Sequence, residues 1–215
     1  MNDVYTPPSD RTHPEMREQL KIIFQYSLML VSSFVGGAIL PRLLGPEFWS
    51  MAETSVSTHF ALPFDGIKGL GSILKITFSY FKPDFWCVLL VGIFTFSSLS
   101  CPVSDGVLLY LGARTGCSIS VLYTLVKGNT QAAYQPTAFC FFLFAVFKLL
   151  LLACFLTYSV RMAQYAYRLR IYSKEGRVLF EPKAVWNCLL QMITATSILF
   201  VLHLLYGASI YFVSK

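Results

Sequence analysis

The stretch that decides the fold is Phe85-Trp86-Cys87-Val88-Leu89-Leu90-Val91-Gly92, which runs on to Ser100 and breaks at Cys101-Pro102-Val103-Ser104-Asp105-Gly106. A second apolar run follows at once, opening Val107-Leu108-Leu109-Tyr110-Leu111-Gly112 and ending near Val126. A run of about 18 or more apolar residues is long enough to cross a bilayer core of roughly 30 Å. The second run qualifies by itself. The first reaches full length only with Phe81 to Phe85, where Pro83 and Asp84 mark its boundary. Two membrane-length segments joined by a Pro/Asp/Gly turn read as a helical hairpin, with no room for a folded domain between its arms.

The whole chain has the composition this hairpin requires. Its 215 residues are 55% hydrophobic, 16% aromatic and 13% charged, with a mean hydropathy of +0.60. A soluble domain carries about 25% charge. Lipid cannot satisfy exposed backbone groups, so spanning segments are helices or closed barrels, and continuous apolar runs argue against the barrel. The reading is therefore an all-α, polytopic integral membrane bundle. The net charge of +6 fits basic loops that set orientation and meet anionic headgroups, so nucleic acid is not an expected partner and membrane lipid is. Cys87, Cys101, Cys117, Cys140, Cys154 and Cys188 all fall in or beside apolar runs and lack Cys-x-x-Cys spacing. They read as small hydrophobes, not metal ligands or disulfides. No cleavable signal peptide is read at the start, because the first apolar run follows about twenty polar residues.

Outward from the hairpin, residues 1–18 read as a loose, proline-containing tail and Leu20 to Leu40 as the first span. Ser33-x-x-x-Gly37 and the pair Gly36-Gly37 give that span a small-residue face on which another helix could pack closely. Between 41 and 83, the segment Ile67 to Phe81 places Ile67, Leu70, Ile73, Leu74, Phe78 and Phe81 at helical spacing with Lys68, Lys75 and Lys82 between or beside them. It reads as an amphipathic helix in the interface, or else as the start of a longer, tilted span. Beyond the hairpin, 138–158 and 185–212 are plain spans. With 20–40, 84–100 and 106–126, that makes about five, plus the interfacial helix, in a single domain over 19–215. The 159–184 loop is the most basic, with Arg161, Arg168, Arg170, Lys174, Arg177 and Lys183, so it and the N-terminus are assigned to the cytoplasmic side of a cell membrane. A sixth span in the 41–83 region would flip the N-terminus outside.

Arg114 and Lys148 lie inside spans, roughly 12–15 Å deep at 1.5 Å per residue, and intramembrane charges are functional suspects. Asp105 is the nearest acid in sequence, but at about 100° per residue it falls on the opposite helix face, shared with Gly112 and Gly116. Arg114 and Lys148 therefore either snorkel to water and lipid phosphate or find a carboxylate or anion elsewhere. Gly112-x-x-x-Gly116, extended by Ser120, is a second small-residue stripe, suited to packing within the chain or against a partner. Gly36, Gly37, Asp105, Gly112, Arg114, Gly116 and Lys148 are accordingly the candidate packing or partner contacts. Ser72-Ile73-Leu74-Lys75 lacks the companion motifs of Ser/Lys acyltransferases. His13, His59 and His203 are scattered, and no zinc-protease or Walker motif occurs. No catalytic, metal or cofactor site is read.

Several of these features together resemble the stage II sporulation protein M family: Gly36-Gly37, Phe81-Lys82-Pro83-Asp84, Gly92, Pro102 and Gly112-x-x-x-Gly116-Cys117-Ser118-Ile119-Ser120. The likeness covers about residues 20–170 in layout and is specific over the hairpin. Arg114 stands where the family pattern has an apolar residue, and Ser97-Ser98-Leu99-Ser100 replaces a glycine before the proline. The resemblance implies a non-catalytic membrane scaffold that holds peptidoglycan-degrading enzymes at the membrane during endospore engulfment. The same general layout occurs in permease subunits that work with a separate ATPase. That gives the alternative, in which Arg114 and Lys148 line an anion route.

Overall fold

The computed structural model describes residues 12–61, 70–97, 100–127, 138–174 and 182–213. Among these there is no strand. The chain forms α1 (Thr12–Leu43), α2 (Pro46–Ala61), α3 (Leu70–Phe94), α4 (Ser100–Lys127), α5 (Ala138–Lys174) and α6 (Pro182–Val213). All but α2 contain stretches long and apolar enough to cross a membrane: Gln19–Leu43, Ile73–Phe94, Pro102–Lys127, Phe141–Tyr167 and Val185–Ser209. The protein is a multi-pass membrane protein, helical throughout its described secondary structure, with five described helices long and apolar enough to span.

Four boundaries differ from the sequence reading. The fourth span does not end at 158 but continues as helix to Lys174, so Arg161, Arg168, Arg170 and Lys174 of the supposed 159–184 loop lie on α5. Helix α1 begins at Thr12, inside the supposed 1–18 tail. Thr12-His13-Pro14-Glu15 has the Ser/Thr-x-x-Glu spacing and early proline that favour a helix start. The separate interfacial helix of Ile67 to Phe81 is replaced, from residue 70 onward, by the first half of α3, which runs unbroken through Pro83. Residues 67–69 lie outside the described set. Proline inside a helix costs one backbone hydrogen bond, but membrane helices tolerate it where neighbours re-satisfy the freed groups. The short sixth helix is instead α2. Finally, the hairpin turn falls at 95–97 rather than at 101–106, so the first arm is not 84–100. The Thr95 amide and hydroxyl both donate to the Val91 carbonyl, at 3.1 and 2.7 Å, and the Ser97 amide closes on Phe94 at 3.0 Å. Pro102 then sits in the first turn of α4, where its missing N–H is no loss.

The link from α1 to α2 is equally local. Gly45 takes φ +97°, the left-handed backbone that ends helices at low cost only for glycine, and Pro46 opens α2. Arg42 lies 5.9 Å from the Trp49 ring, bracing the corner.

Two seams define the bundle. Helices α1 and α4 run parallel. A Cβ on Gly37 would collide with the Ala113 carbonyl oxygen, one on Gly112 with Ser33 Oγ, and one on Gly116 with the Phe34 carbonyl oxygen. Gly36 meets nothing and faces outward. The small residues therefore serve backbone-to-backbone packing within the chain. Helices α3 and α6 run antiparallel, with Gly92 against Met192 and Gly207 against Thr77, and α5 touches α1, α3, α4 and α6. One buried apolar cluster, including Val88, Leu108, Phe155 and Leu199, fills the half of the bundle nearer the α3–α4 turn. A second, including Tyr80, Val121, Leu122, Phe144 and Tyr206, fills the half nearer α2.

Candidate functional site: a four-helix ionic cluster

Between the two apolar clusters, α3, α4, α5 and α6 each bring one ionisable side chain to the same level. Asp84 on α3 is only 3% exposed. Its Oδ1 lies 3.3 Å from Arg114 Nη1 on α4, which donates to it. Its Oδ2 lies 3.2 Å from His203 Nε2 on α6. Lys148 on α5 places its ammonium 5.6 Å from the Phe144 ring and 5.9 Å from Tyr80, within cation–π range. Among the described residues it has no ion-pair partner.

The histidine geometry constrains the protons. His203 Nδ1 is 2.8 Å from the Leu199 carbonyl oxygen, which only accepts, so Nδ1 carries hydrogen. Nε2 therefore faces the Asp84 carboxyl either protonated or as an acceptor for a protonated acid. One proton must lie between the two groups for the contact to attract. The Nε2 alignment is poor for a hydrogen bond, so the contact is chiefly electrostatic. In a membrane interior such groups persist only when paired.

Beside the cluster is a cavity of about 220 Å³ lined by Asp84, Arg114 and Lys148, by Thr115 and Ser118 of α4, and by Ser55 of α2. Its remaining wall is apolar, including Leu122, Phe144 and Phe155. Arg114's side chain is 29% exposed. One of its five donors is spent on Asp84 and Ser118 Oγ is turned back to the Arg114 carbonyl at 2.8 Å, so most of the guanidinium's capacity stays free. Helix α2, which packs on α4 and α1, forms the outer wall. A gap of about 10 Å³ between Lys148 and His203 is the size of one water.

The structure thus brings Arg114 and Lys148 to one cavity. It separates them from Asp105, whose carboxyl is reached by Tyr26 of α1, and from the Gly37, Gly112 and Gly116 seam. Asp84 and His203 are the members that sequence reasoning missed. Asp84 had been placed at a span boundary beside Pro83, and His203 had appeared alone on its helix. Among the described residues no group of three or more His, Cys, Asp or Glu side chains is arranged to hold a metal ion.

Compared with known proteins, the chain matches no family model, no curated protein and no solved structure.

Proposed function

We propose that this membrane protein binds a small anionic solute in the cavity between α2, α3, α4 and α5, and that it belongs to the permease or transporter class. The observation that carries this reading is the charge balance. Two basic side chains, Arg114 and Lys148, face one cavity together with a single carboxyl group, Asp84. With one proton shared between His203 and Asp84, that pair is neutral as a whole. The positive charges of Arg114 and Lys148 are therefore both left over in a low-dielectric interior, where an anion compensates them. The volume is below the roughly 300–1,000 Å³ of drug-sized sites, so it fits carboxylate-, phosphate- or sulfate-sized solutes. The bias of basic residues puts the 159–184 segment in the cytoplasm, where an ATPase partner would contact it, and puts α2 over the cavity's outer mouth.

The test is thermal unfolding of the detergent-solubilised protein with acetate, phosphate or sulfate, against chloride at equal ionic strength. A ligand at a hundred times its Kd stabilises by about 2.7 kcal/mol. At least one of the three should therefore raise the midpoint, and Lys148→Gln should abolish the rise. A midpoint insensitive to all three, or a rise that survives Lys148→Gln, overturns the reading. The sporulation-scaffold reading is supported by the hairpin likeness. It predicts instead that Arg114→Leu leaves function intact and that no solute flux depends on Arg114.

A further inference from the structure

The outer side of α3 carries a charge that the bundle leaves unexplained. Lys75, Ser79, Lys82 and Trp86 recur at helical spacing and all are exposed. Helix α3 packs on α4, α5 and α6 through its other side. Neither lysine has an ion pair or ring contact among the described residues.

The α3–α6 register gives their depth. Thr77 lies by Gly207, Asp84 by His203 and Gly92 by Met192, so Lys82 is level with about Leu202 and Lys75 with about Ser209. Helix α6 runs on to Val213 with no charged residue beyond His203. At 1.5 Å per residue, Lys82 is about 16 Å inside that apolar end and Lys75 about 6 Å. A lysine side chain reaches roughly 6 Å when it snorkels. Lys75 therefore gains the headgroups. Lys82 does not, because half of a 30 Å hydrocarbon core is about 15 Å. It is a lipid-facing cation near the midplane, which costs on the order of a hundredfold in the insertion equilibrium unless it is paired.

We propose that this side of α3 docks a membrane-spanning helix of a different protein, one that carries a carboxylate near the bilayer midplane, with Lys82 as its ion-pair partner. Charge complementarity selects that occupant. The acids within this chain's own described spans are Asp84, buried against Arg114 and His203, and Asp105, engaged by Tyr26. A second copy therefore offers no free carboxylate at the required depth. Trp86, one turn away and 54% exposed, supplies an aromatic surface beside the charge, and Ser79 a small residue on the other flank. The site is independent of the cavity.

The experiment uses the full chain, donor-labelled and reconstituted in phosphatidylcholine vesicles. The acceptors are single-span peptides of Leu/Ala composition with Asp or Leu at the centre. Energy transfer to the Asp-centred peptide should saturate, and Lys82→Leu should weaken that association about tenfold, in line with polar contacts between membrane helices. Lys82→Asp should shift the preference to a Lys-centred peptide. Lys75→Leu should change little. Lys82 is exposed, so these variants retain the fold, which the unfolding midpoint checks. Equal binding of the Asp- and Leu-centred peptides overturns the proposal. So does a Lys82-dependent self-association of the chain, or binding that Lys75→Leu abolishes and Lys82→Leu spares.

Discussion

Replacing Asp84 by Asn should destabilise the bundle by about 3 kcal/mol. The substitution keeps the shape and removes the charge, leaving the Arg114 guanidinium 3.3 Å from a neutral amide and Lys148 with no acid in the cavity. Breaking a buried pair by removing one partner costs about 3–5 kcal/mol, and the lower end applies because Arg114 is partly open to the cavity. A neutral hydrogen bond between membrane helices contributes only about 0.6 kcal/mol, with about 1.7 at most. The two cases are therefore well separated. Steric-trap unfolding in bicelles, or reversible unfolding in mixed micelles, measures the difference. At 1.4 kcal/mol per tenfold, the expected loss is about a hundredfold in the folded-to-unfolded ratio. Arg114→Gln added to Asp84→Asn should recover part of the loss, with a coupling of at least about 1.5 kcal/mol, since paired residues depart from additivity. A loss below about 1 kcal/mol, or strict additivity, would show that Asp84 and Arg114 are not an ion pair and would remove the charge balance behind the proposed anion site.

Gly116→Leu should dissociate the α1–α4 seam and lower thermal stability in detergent sharply, whereas Gly36→Leu, with open space around it, should stay within about 0.5 kcal/mol. Gly92→Ala should be milder than any substitution at Gly116, because the obstructing atoms belong to the flexible Met192 side chain rather than to backbone. The same stability scan reads both. In a background without native cysteines, Ser50→Cys on α2 and Ser97→Cys in the α3–α4 turn should label from opposite sides of the vesicle. Labelling of both from one side would refute the five-span topology.

The span count was legible because an apolar run of membrane length has few alternatives in lipid. The small-residue stripes were legible too, since Ser33-x-x-x-Gly37 and Gly112-x-x-x-Gly116 repeat at the helical period. What failed was the treatment of Pro83 as a terminus. In water proline ends a helix, but in α3 it lies within one, and that error hid Asp84 from the list of intramembrane charges. The site itself was only half visible. Arg114 and Lys148 stand out as charges in apolar runs. Their company does not, because Asp84 is thirty residues from Arg114 and His203 reaches it only through the antiparallel register of α3 and α6. No local spacing encodes that register. A search for every acid within helical reach of an apolar run, prolines ignored, would have found Asp84.

The parallel seam between α1 and α4 also bears on biogenesis. Gly37 rests on Ala113, which the ribosome adds 76 residues later. At roughly 5–20 residues per second, α1 waits about 4–15 s for its seat. The next membrane-length helix, α3, does not fill the gap, since α3 and α1 share no contact. During that interval the Ser33–Gly37 groove lies open, and a close-packing surface with no partner must be kept from the wrong one. The seam can close only once the α3–α4 hairpin has entered and brought Ala113 and Gly116 to α1. A slow step placed after α4, between residues 127 and 138, would give the seam time to close before α5 arrives to pack across it.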